Sequence, residues 1–188
     1  MMEIGNIPGR AFLDTSTLNF ILDNGEYIFD AVTPPSSLTK RQHQDVDALY
    51  NIFLTGKRAS WQLAISPFTY REVISTQNTK QQHYLKNWFQ DIWHYWLSIL
   101  EEANDLPSFI EAEHERIELL LSGILDVLPD IEDRILICDA IVYRCDCFCT
   151  RDWKTILKHR NYLKSLPIKI ITPTEWWKLI EPYAGLWA

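Results

Sequence analysis

The sequence predicts an α/β fold in which a central parallel sheet of four to five short strands is flanked by helices. Short apolar segments with strand character alternate along the chain with longer segments in which apolar residues recur every three or four positions. This alternation is typical of parallel sheets that are covered by helices on both faces. The chain has 188 residues, of which 47% are hydrophobic and 23% are charged, as in globular proteins. We therefore expect a single three-layer domain that spans residues 1–188.

The first half of the chain contains two predicted strand–helix units. Residues Arg10–Asp14 are predicted as a short buried strand, and Thr15–Leu22 as the helix that follows it. After a loop, a longer helix is predicted over Thr39–Leu54. Gln62–Ser66 is the second predicted strand, and a new helix is expected to begin at Pro67, because serine followed by proline is a common helix start.

Residues 77–125 are predicted to be an enlarged helical portion of the same domain. Apolar residues recur at helical spacing before and after Pro107, which predicts two helices joined by a short turn as an antiparallel hairpin. The aromatic residues of the first helix are interpreted as core packing, since stripes at this spacing usually face a core. We expect this helical hairpin to be an insertion in the α/β domain.

The last third of the chain returns to alternating helices and strands. A helix is predicted over Asp130–Arg144, a third strand over Cys147–Thr150 and a helix over Trp153–Ser165. A fourth strand is predicted over Ile168–Thr172, and a short final helix over Thr174–Ile180.

The charge balance excludes one broad class of binding protein. The formal net charge is −7 and the pI is about 5.2, which argues against binding nucleic acid through a wide basic surface. Contact with phosphate through bound divalent cations remains compatible with this charge. No apolar run approaches the ~20 residues that a membrane-spanning helix needs, and residues 1–10 do not resemble a secretory signal. We expect a cytoplasmic protein that does not act in a membrane.

The cysteines are concentrated in one segment. They are Cys138, Cys145, Cys147 and Cys149. In a chain of this size they do not form a disulfide framework. Their spacing lacks the C-x-x-C pairs of structural zinc sites, although zinc binding is an alternative. Small buried side chains on the inside of the sheet are the favoured interpretation.

Four acidic residues are predicted near the edge at which the parallel strands end. Asp14 ends the first strand, and Asp152 follows the third strand by two residues. Glu72 lies in the helix after the second strand, and Asp133 lies in the first turn of the helix before the third. Ligands bind outside the carboxyl ends of parallel strands, and grouped carboxylates repel one another unless a cation such as Mg²⁺ or Mn²⁺ neutralises them. Taken singly, each acid is better explained as a helix cap or a solvated charge. Taken together, the four at strand ends weaken that explanation, because it requires four coincidences.

The order of these segments resembles that of PIN-domain nucleases over most of the chain. The matching segments are Ala11–Ser16, Ile65–Val73, Glu132–Asp133, Cys145–Asp152 and Ile168–Glu175. They are similar to the family's opening strand with its first metal-binding Asp, the helix with its Glu, its third acidic position, its strand ending in Thr-x-Asp and its closing strand. Residues 77–125 match none of the family's motifs.

The resemblance implies a PIN-like fold and a metal-dependent endoribonuclease that hydrolyses phosphodiester bonds of RNA with Mg²⁺ or Mn²⁺. Bound metal would make water a better nucleophile for in-line attack and offset charge on the leaving oxygen. Ser16 and Thr150 are expected to hydrogen-bond the carboxylates and set their orientation, and Arg151 is the nearest candidate for contact with substrate phosphate. The expected catalytic and metal-binding residues are Asp14, Glu72, Asp133 and Asp152.

Asp139 is the alternative to Asp133 as the third acid. Six residues at about 100° per residue place the two side chains about 120° apart on the helix, so that they cannot both face one metal ion. Counting back from the third strand favours Asp133. Asp139 lies deeper in the helix, where a carboxylate needs a partner, and it would then support the site from behind the metal ligands.

Other functions are also compatible with the sequence. The chain would alternatively be a non-catalytic PIN-like module that binds RNA or protein, or a toxin component held inactive by an antitoxin partner. Haloacid-dehalogenase-like phosphatases also have an Asp after the first strand, but they need a second acid two residues later, where this chain has Ser16. Trp176 and Trp177, expected to be exposed near the C-terminus, would serve a homodimer interface or core packing.

Overall fold

A sheet of four parallel strands lies at the centre of the described residues. The computed structural model describes residues 7–59, 61–75 and 81–187, without the side chains of residues 57, 72, 74, 75, 81–85 and 187. The strands are β1 (Arg10–Leu13), β2 (Gln62–Ala64), β3 (Cys147–Cys149) and β4 (Lys169–Ile171). Their order is β2-β1-β3-β4, and each neighbouring pair is parallel. The predicted α/β class with a parallel sheet of four strands is therefore confirmed.

Helices connect successive strands. They are α1 (Thr15–Asp23), α2 (Gly25–Phe29), α3 (Lys40–Ala59), α4 (Pro67–Ser75), α5 (Gln81–Glu102), α6 (Phe109–Leu121), α7 (Ile131–Val142), α8 (Ile156–His159) and α9 (Pro173–Ile180). The sequence did not predict α2, and α3 continues beyond its predicted end near Leu54. None of the helices in the described ranges combines the length and the apolar character needed to cross a membrane.

The two central strands, β1 and β3, end at the same edge of the sheet. All residues of β1 and β3 are buried, as expected for strands covered on both faces. Phe12 lies opposite Phe148 in the β1–β3 register, and the two rings stack with centroids 5.4 Å apart. Because the strands are parallel and in register, Asp14 and Thr150 follow them at the same edge.

The two long helices between α4 and α7 make their main contacts with different elements. α5 packs against β2 and α1, and α6 packs against α7. The aromatic side chains of α5 explain part of this arrangement, since Phe89 and Trp96 are fully buried in the main core. The prediction of core packing for these two residues is confirmed, and the antiparallel hairpin stays a prediction.

The structure also corrects two predictions near the C-terminus. Trp176 is fully buried and Trp177 packs against the core, so the expectation that both are exposed is wrong. Thr172 and Glu175 form a capping box at the start of α9, and the helix that follows places the ring of Trp176 6.0 Å from that of Trp61. The predicted helix over residues 153–165 is replaced by a turn, the short α8 and a 3-10 segment over Arg160–Leu163.

Candidate functional site

Asp14 lies directly after β1 with its carboxylate turned into the protein. Its backbone N–H donates to the carbonyl oxygen of Cys149 at 3.1 Å, which fixes it between the ends of β1 and β3. Its side chain is 3% exposed and makes no capping hydrogen bond to α1. The structure therefore does not support the interpretation of Asp14 as a simple helix cap.

Two hydroxyl groups hold the Asp14 carboxylate. Thr150 Oγ1 donates to Asp14 Oδ2 at 2.7 Å, and Ser16 Oγ donates to the same oxygen. Each hydroxyl also accepts a backbone N–H, Ser16 from Arg151 at 3.0 Å and Thr150 from Asp152 at 3.0 Å. A hydroxyl has one proton to donate, so both protons are directed at Asp14. The hydrogen-bonding roles predicted for Ser16 and Thr150 match these contacts.

Opposing effects act on the protonation of Asp14. Burial raises the pKa of Asp14, the hydrogen bonds from Ser16 and Thr150 lower it, and the nearby charge of Asp152 raises it further. The balance leaves its pKa above the ordinary value. A desolvated carboxylate with a second acid nearby is therefore harder to ionise without a cation.

Asp152 is held mainly by the chain that follows it. Its Oδ1 accepts the N–H groups of Lys154 at 2.8 Å and Thr155 at 2.9 Å, and its Oδ2 accepts the hydroxyl of Thr155. Burial raises the pKa of Asp152, but these hydrogen bonds and the charge of Lys154 outweigh burial and hold its pKa below the ordinary value. Asp152 thus caps the turn after β3 as well as lying near Asp14, and it stays ionised.

Asp133 lies in the first turn of α7, close to both of these acids. Its Oδ2 is buried and has no hydrogen-bond partner among the described residues. Burial raises the pKa of Asp133 to about 6, the neighbouring hydroxyl of Thr155 opposes the increase, and the charges of Asp14, Asp152 and Asp130 add to it. Three predicted site residues, Asp14, Asp133 and Asp152, are therefore near enough to influence one another's ionisation.

Asp139, on the same helix, has different surroundings. Its Oδ1 accepts a hydrogen bond from Arg116 Nε at 2.6 Å, and Arg116 also pairs with Glu113. Burial raises the pKa of Asp139, while the charge and hydrogen bond of Arg116 oppose the increase. Asp139 thus has the partner that the sequence required of it, in a cluster on α6 and α7. This placement favours Asp133 as the third acid.

The side chain of Glu72 lies outside the described residues. Its backbone belongs to α4, which begins where Ser66 Oγ accepts the N–H of Thr69 at 2.9 Å. The hydroxyls of Thr69 and Thr15 lie 3.2 Å apart, which joins the first turn of α4 to the residue after Asp14. The helix is therefore near the site, and the role of Glu72 stays a prediction.

Arg151 is engaged within the protein. Its Nε donates to Asp45 Oδ2 at 2.8 Å, and its guanidinium lies 3.5 Å from the ring centroid of Phe20. The hydroxyl of Thr174 donates to the other oxygen of Asp45 at 3.0 Å. These contacts make Arg151 a residue that anchors the loop after β3, and they do not support its predicted role in phosphate contact.

Sequence reasoning missed the part played by Asp45. Asp45 is only 3% exposed, whereas acids on amphipathic helices are usually solvated. A signal was present, because Asp45 shares a helix face with the buried residues Leu49 and Ile52. A carboxylate in such a position needs a buried partner, and Arg151 supplies it.

The donor chemistry of the site fits a divalent cation. Carboxylate oxygens are the ligands that Mg²⁺ and Mn²⁺ prefer, and the buried, unpartnered oxygen of Asp133 is the group that a cation would satisfy. Within the described parts of the chain, no three Asp, Glu, His or Cys side chains are gathered closely enough to hold a metal ion. A cation would therefore need movement of the three acids toward one another, or the side chain of Glu72.

The cysteines fit the interpretation as buried apolar side chains. All four are buried and free of disulfides. Burial raises the pKa of the Cys138 thiol to about 12 and that of Cys145, Cys147 and Cys149 further.

Comparison of the chain with protein-family models, with curated proteins and with solved structures found no match. The resemblance to PIN-domain nucleases thus rests on the sequence motifs. What the structure adds is the α/β class, the parallel sheet and the position of three acids at one edge of that sheet.

Proposed function

We propose that this protein is a metal-dependent endoribonuclease with a PIN-like fold, which hydrolyses phosphodiester bonds of RNA at the carboxyl edge of the sheet. One observation carries the proposal. Asp133 has a buried oxygen without a hydrogen-bond partner among the described residues, and the charges of Asp14 and Asp152 act on it. A structural carboxylate in that position would be paired with a cationic side chain, as Asp139 is.

Asp14, Asp133 and Asp152 would hold Mg²⁺ or Mn²⁺, with Glu72 as a fourth ligand or as the group that accepts a proton from water. A divalent cation supplies Lewis acidity, which makes water a better nucleophile at neutral pH and offsets charge on the leaving oxygen. Ser16 and Thr150 orient the Asp14 carboxylate by donating both of their protons to it. Their backbone N–H contacts also hold Arg151 and Asp152 in place.

The net charge of the chain bears on how RNA would be bound. With a net charge of −7, the protein repels a polyanion, and at physiological salt this repulsion is largely screened beyond about 8 Å. The acids of the site would attract cations first, and the cation would then attract phosphate. The protein would therefore bind RNA weakly without divalent metal.

The test is cleavage of labelled single-stranded RNA by the purified protein in Mg²⁺ or Mn²⁺, beside an EDTA control. Asp14→Asn, Asp133→Asn and Asp152→Asn should each reduce the cleavage rate by about 100-fold or more, because each removes one charged ligand. Glu132→Gln is the matched control, since Glu132 is an exposed acid beside Asp133 in the same turn. It should leave the rate unchanged.

Asp139→Asn separates the two assignments of the third acid. If this variant is folded by circular dichroism and cuts RNA while Asp133→Asn does not, Asp133 is the third acid. The reverse result would transfer that role to Asp139. If the intact protein neither cuts RNA nor binds Mn²⁺, the proposal is contradicted and the non-catalytic binding module is favoured.

A further inference from the structure

Trp153 is an exposed aromatic residue next to one of the acids proposed to bind metal. It directly follows Asp152 in the chain and is 43% exposed. Asp152 Oδ1 accepts the N–H groups of Lys154 at 2.8 Å and Thr155 at 2.9 Å. The turn that carries Trp153 is therefore fixed to the same carboxylate that would bind the cation.

The guanidinium of Arg41 lies over the ring of Trp153, with Arg41 Cζ 4.0 Å from the ring centroid. Arg41 is in the first turn of α3. Asp45 follows one turn later on the same side of this helix and pairs with Arg151 at 2.8 Å. Two contacts thus join the start of α3 to the loop after β3, the loop that contains Asp152.

A second arginine–aromatic pair in this region has a purely structural environment. The guanidinium of Arg151 lies 3.5 Å from the ring centroid of Phe20, but Phe20 is 5% exposed and Arg151 is also paired with Asp45. Arg41, by contrast, is exposed and has no carboxylate partner among the described residues. Its positive charge and the remaining surface of the Trp153 ring are both accessible to a ligand.

These accessible groups match the two parts of a nucleotide. Proteins that bind single-stranded nucleic acid combine aromatic side chains, on which bases stack, with cations that contact phosphate. Lys40 and Lys154 are the chain neighbours of Arg41 and Trp153 and are also exposed. They add positive charge at this place in a chain whose net charge is −7. Because one sugar joins a base to its phosphate, a base on Trp153 can belong to a nucleotide next to a phosphate at Asp152.

We propose that Trp153 and Arg41 form the subsite for one nucleotide beside the scissile phosphate. The base stacks on the exposed part of the Trp153 ring, and Arg41 contacts the adjoining phosphate, a role for which Arg151 is not free because it is paired with Asp45. The inference rests on the proposed nuclease function and names the residues that hold the RNA chain beside the acids. The base must be unpaired, since stacking on a side chain requires a base that has left the helix.

The first test measures binding of a short labelled single-stranded RNA by fluorescence anisotropy. Ca²⁺ replaces Mg²⁺, because it binds the same oxygen ligands with a looser geometry, and a gel checks that the RNA stays uncut. Trp153→Leu should weaken binding about tenfold through the loss of stacking, and Trp153→Phe should restore most of the affinity. Unchanged binding in folded Trp153→Leu would overturn the proposal.

Phe109→Leu is the matched control and should bind RNA as the intact protein does. Phe109 is 79% exposed and is the first residue of α6. It follows Asp105 by four residues, and Asp105 pairs at 3.2 Å with Arg10, the first residue of β1. Phe109 is therefore near the edge of the sheet opposite to the acids. A loss of affinity as large as that of Trp153→Leu would mean that any exposed ring has this effect, and would overturn the proposal.

Two further measurements separate the base contact from the phosphate contact. Arg41→Gln should reduce the slope of log affinity against log salt by about 0.7, the value for one phosphate of a single strand, whereas Trp153→Leu should leave the slope unchanged. The second measurement compares the RNA with an abasic chain of the same length and charge. The intact protein should prefer the RNA with bases about tenfold more strongly than Trp153→Leu does. An equal preference in the two proteins would overturn the stacking role.

Cleavage in Mn²⁺ distinguishes failure of this subsite from failure of the nuclease proposal. In a protein that cuts RNA, Trp153→Leu should raise KM about tenfold with little change in kcat, because stacking holds substrate and transition state alike. Binding that depends on Trp153, without any cleavage, would contradict the nuclease proposal and support the subsite. Cleavage with an unchanged KM in Trp153→Leu, or no RNA binding by the intact protein, would overturn the subsite.

Discussion

The two ends of α7 present the same kind of side chain in opposite surroundings. Asp139, in the second half of the helix, is buried against Arg116 at 2.6 Å. Asp133, in the first turn, has a buried oxygen with no partner among the described residues and lies near two other acids. A buried carboxylate that is paired with arginine belongs to the structure of the protein. One that is left among like charges is poorly placed for stability, and such groups are concentrated at functional sites.

The largest expected change in stability follows from removing Arg116, the partner of Asp139. Arg116→Met keeps most of the apolar stem but leaves the Asp139 carboxylate buried without its cation, and should reduce the free energy of unfolding by about 3 kcal/mol at pH 7. Without Arg116 the pKa of Asp139 rises, so the deficit should shrink as the pH falls and the carboxylate takes up a proton. Urea unfolding at several pH values measures both effects.

Arg144→Met is the control for this comparison. Arg144 pairs with Glu115 at 2.6 Å, but its side chain is 46% exposed. Exposed ion pairs contribute about 0.5 kcal/mol, and the variant should lose no more than that. A loss as large as that of Arg116→Met would show that burial does not distinguish the two pairs.

At the start of α7, near Asp133, divalent metal should stabilise the protein. Mn²⁺ at about 100 times its dissociation constant should stabilise the intact protein by about 2.7 kcal/mol, because it binds the folded state only. Protons compete with the metal for Asp133, whose pKa is about 6, so the stabilisation should fade as the pH falls below that value. Thermal unfolding with and without Mn²⁺ at pH 5 and pH 7.5 tests this.

Asp133→Asn should show no stabilisation by Mn²⁺ in the same experiment. Stabilisation of this variant equal to that of the intact protein would exclude Asp133 as a ligand, whatever the outcome of RNA cleavage. Asp47→Asn, far along the sequence from the acids of the site, should respond to Mn²⁺ as the intact protein does.

The smallest expected change in stability is that of Asp133→Asn in the absence of metal. The raised pKa of Asp133 means that folding disfavours its ionised form. Its contribution to the free energy of unfolding is therefore fully present below about pH 4 and is lost as the pH rises through about 6. Asp133→Asn removes that ionisation and should be more stable than the intact protein by about 1 kcal/mol at pH 7. The two proteins should converge near pH 4. Urea midpoints in EDTA measure the difference, and a less stable variant at pH 7 would contradict our account of Asp133.

Local patterns were enough to locate the elements that carry the acids. The apolar run before Asp14 predicted β1, and the Ser66-Pro67 start predicted α4, because each depends on residues that are neighbours in sequence. The same patterns failed for residues 153–165 and for Trp176. For residues 153–165 the outcome depends on Asp152, which caps the turn after β3 through the N–H groups of Lys154 and Thr155. For Trp176 it depends on contact with Trp61, which is remote in the sequence.

The sequence by itself determined the α/β class, the succession of strands and most helices along the chain, and the presence of acids near the ends of β1 and β3. These follow from hydrophobic periodicity, which is a property of short segments. Only the tertiary structure decided which acids have partners. Packing of α6 against α7 gives Asp139 its arginine, the ion pair between α3 and the loop after β3 gives Arg151 its Asp45, and Asp133 is left among like charges. The reason is physical: the ionisation of a carboxylate depends on burial and on charges within a few ångströms, and folding brings those charges from positions remote in the sequence.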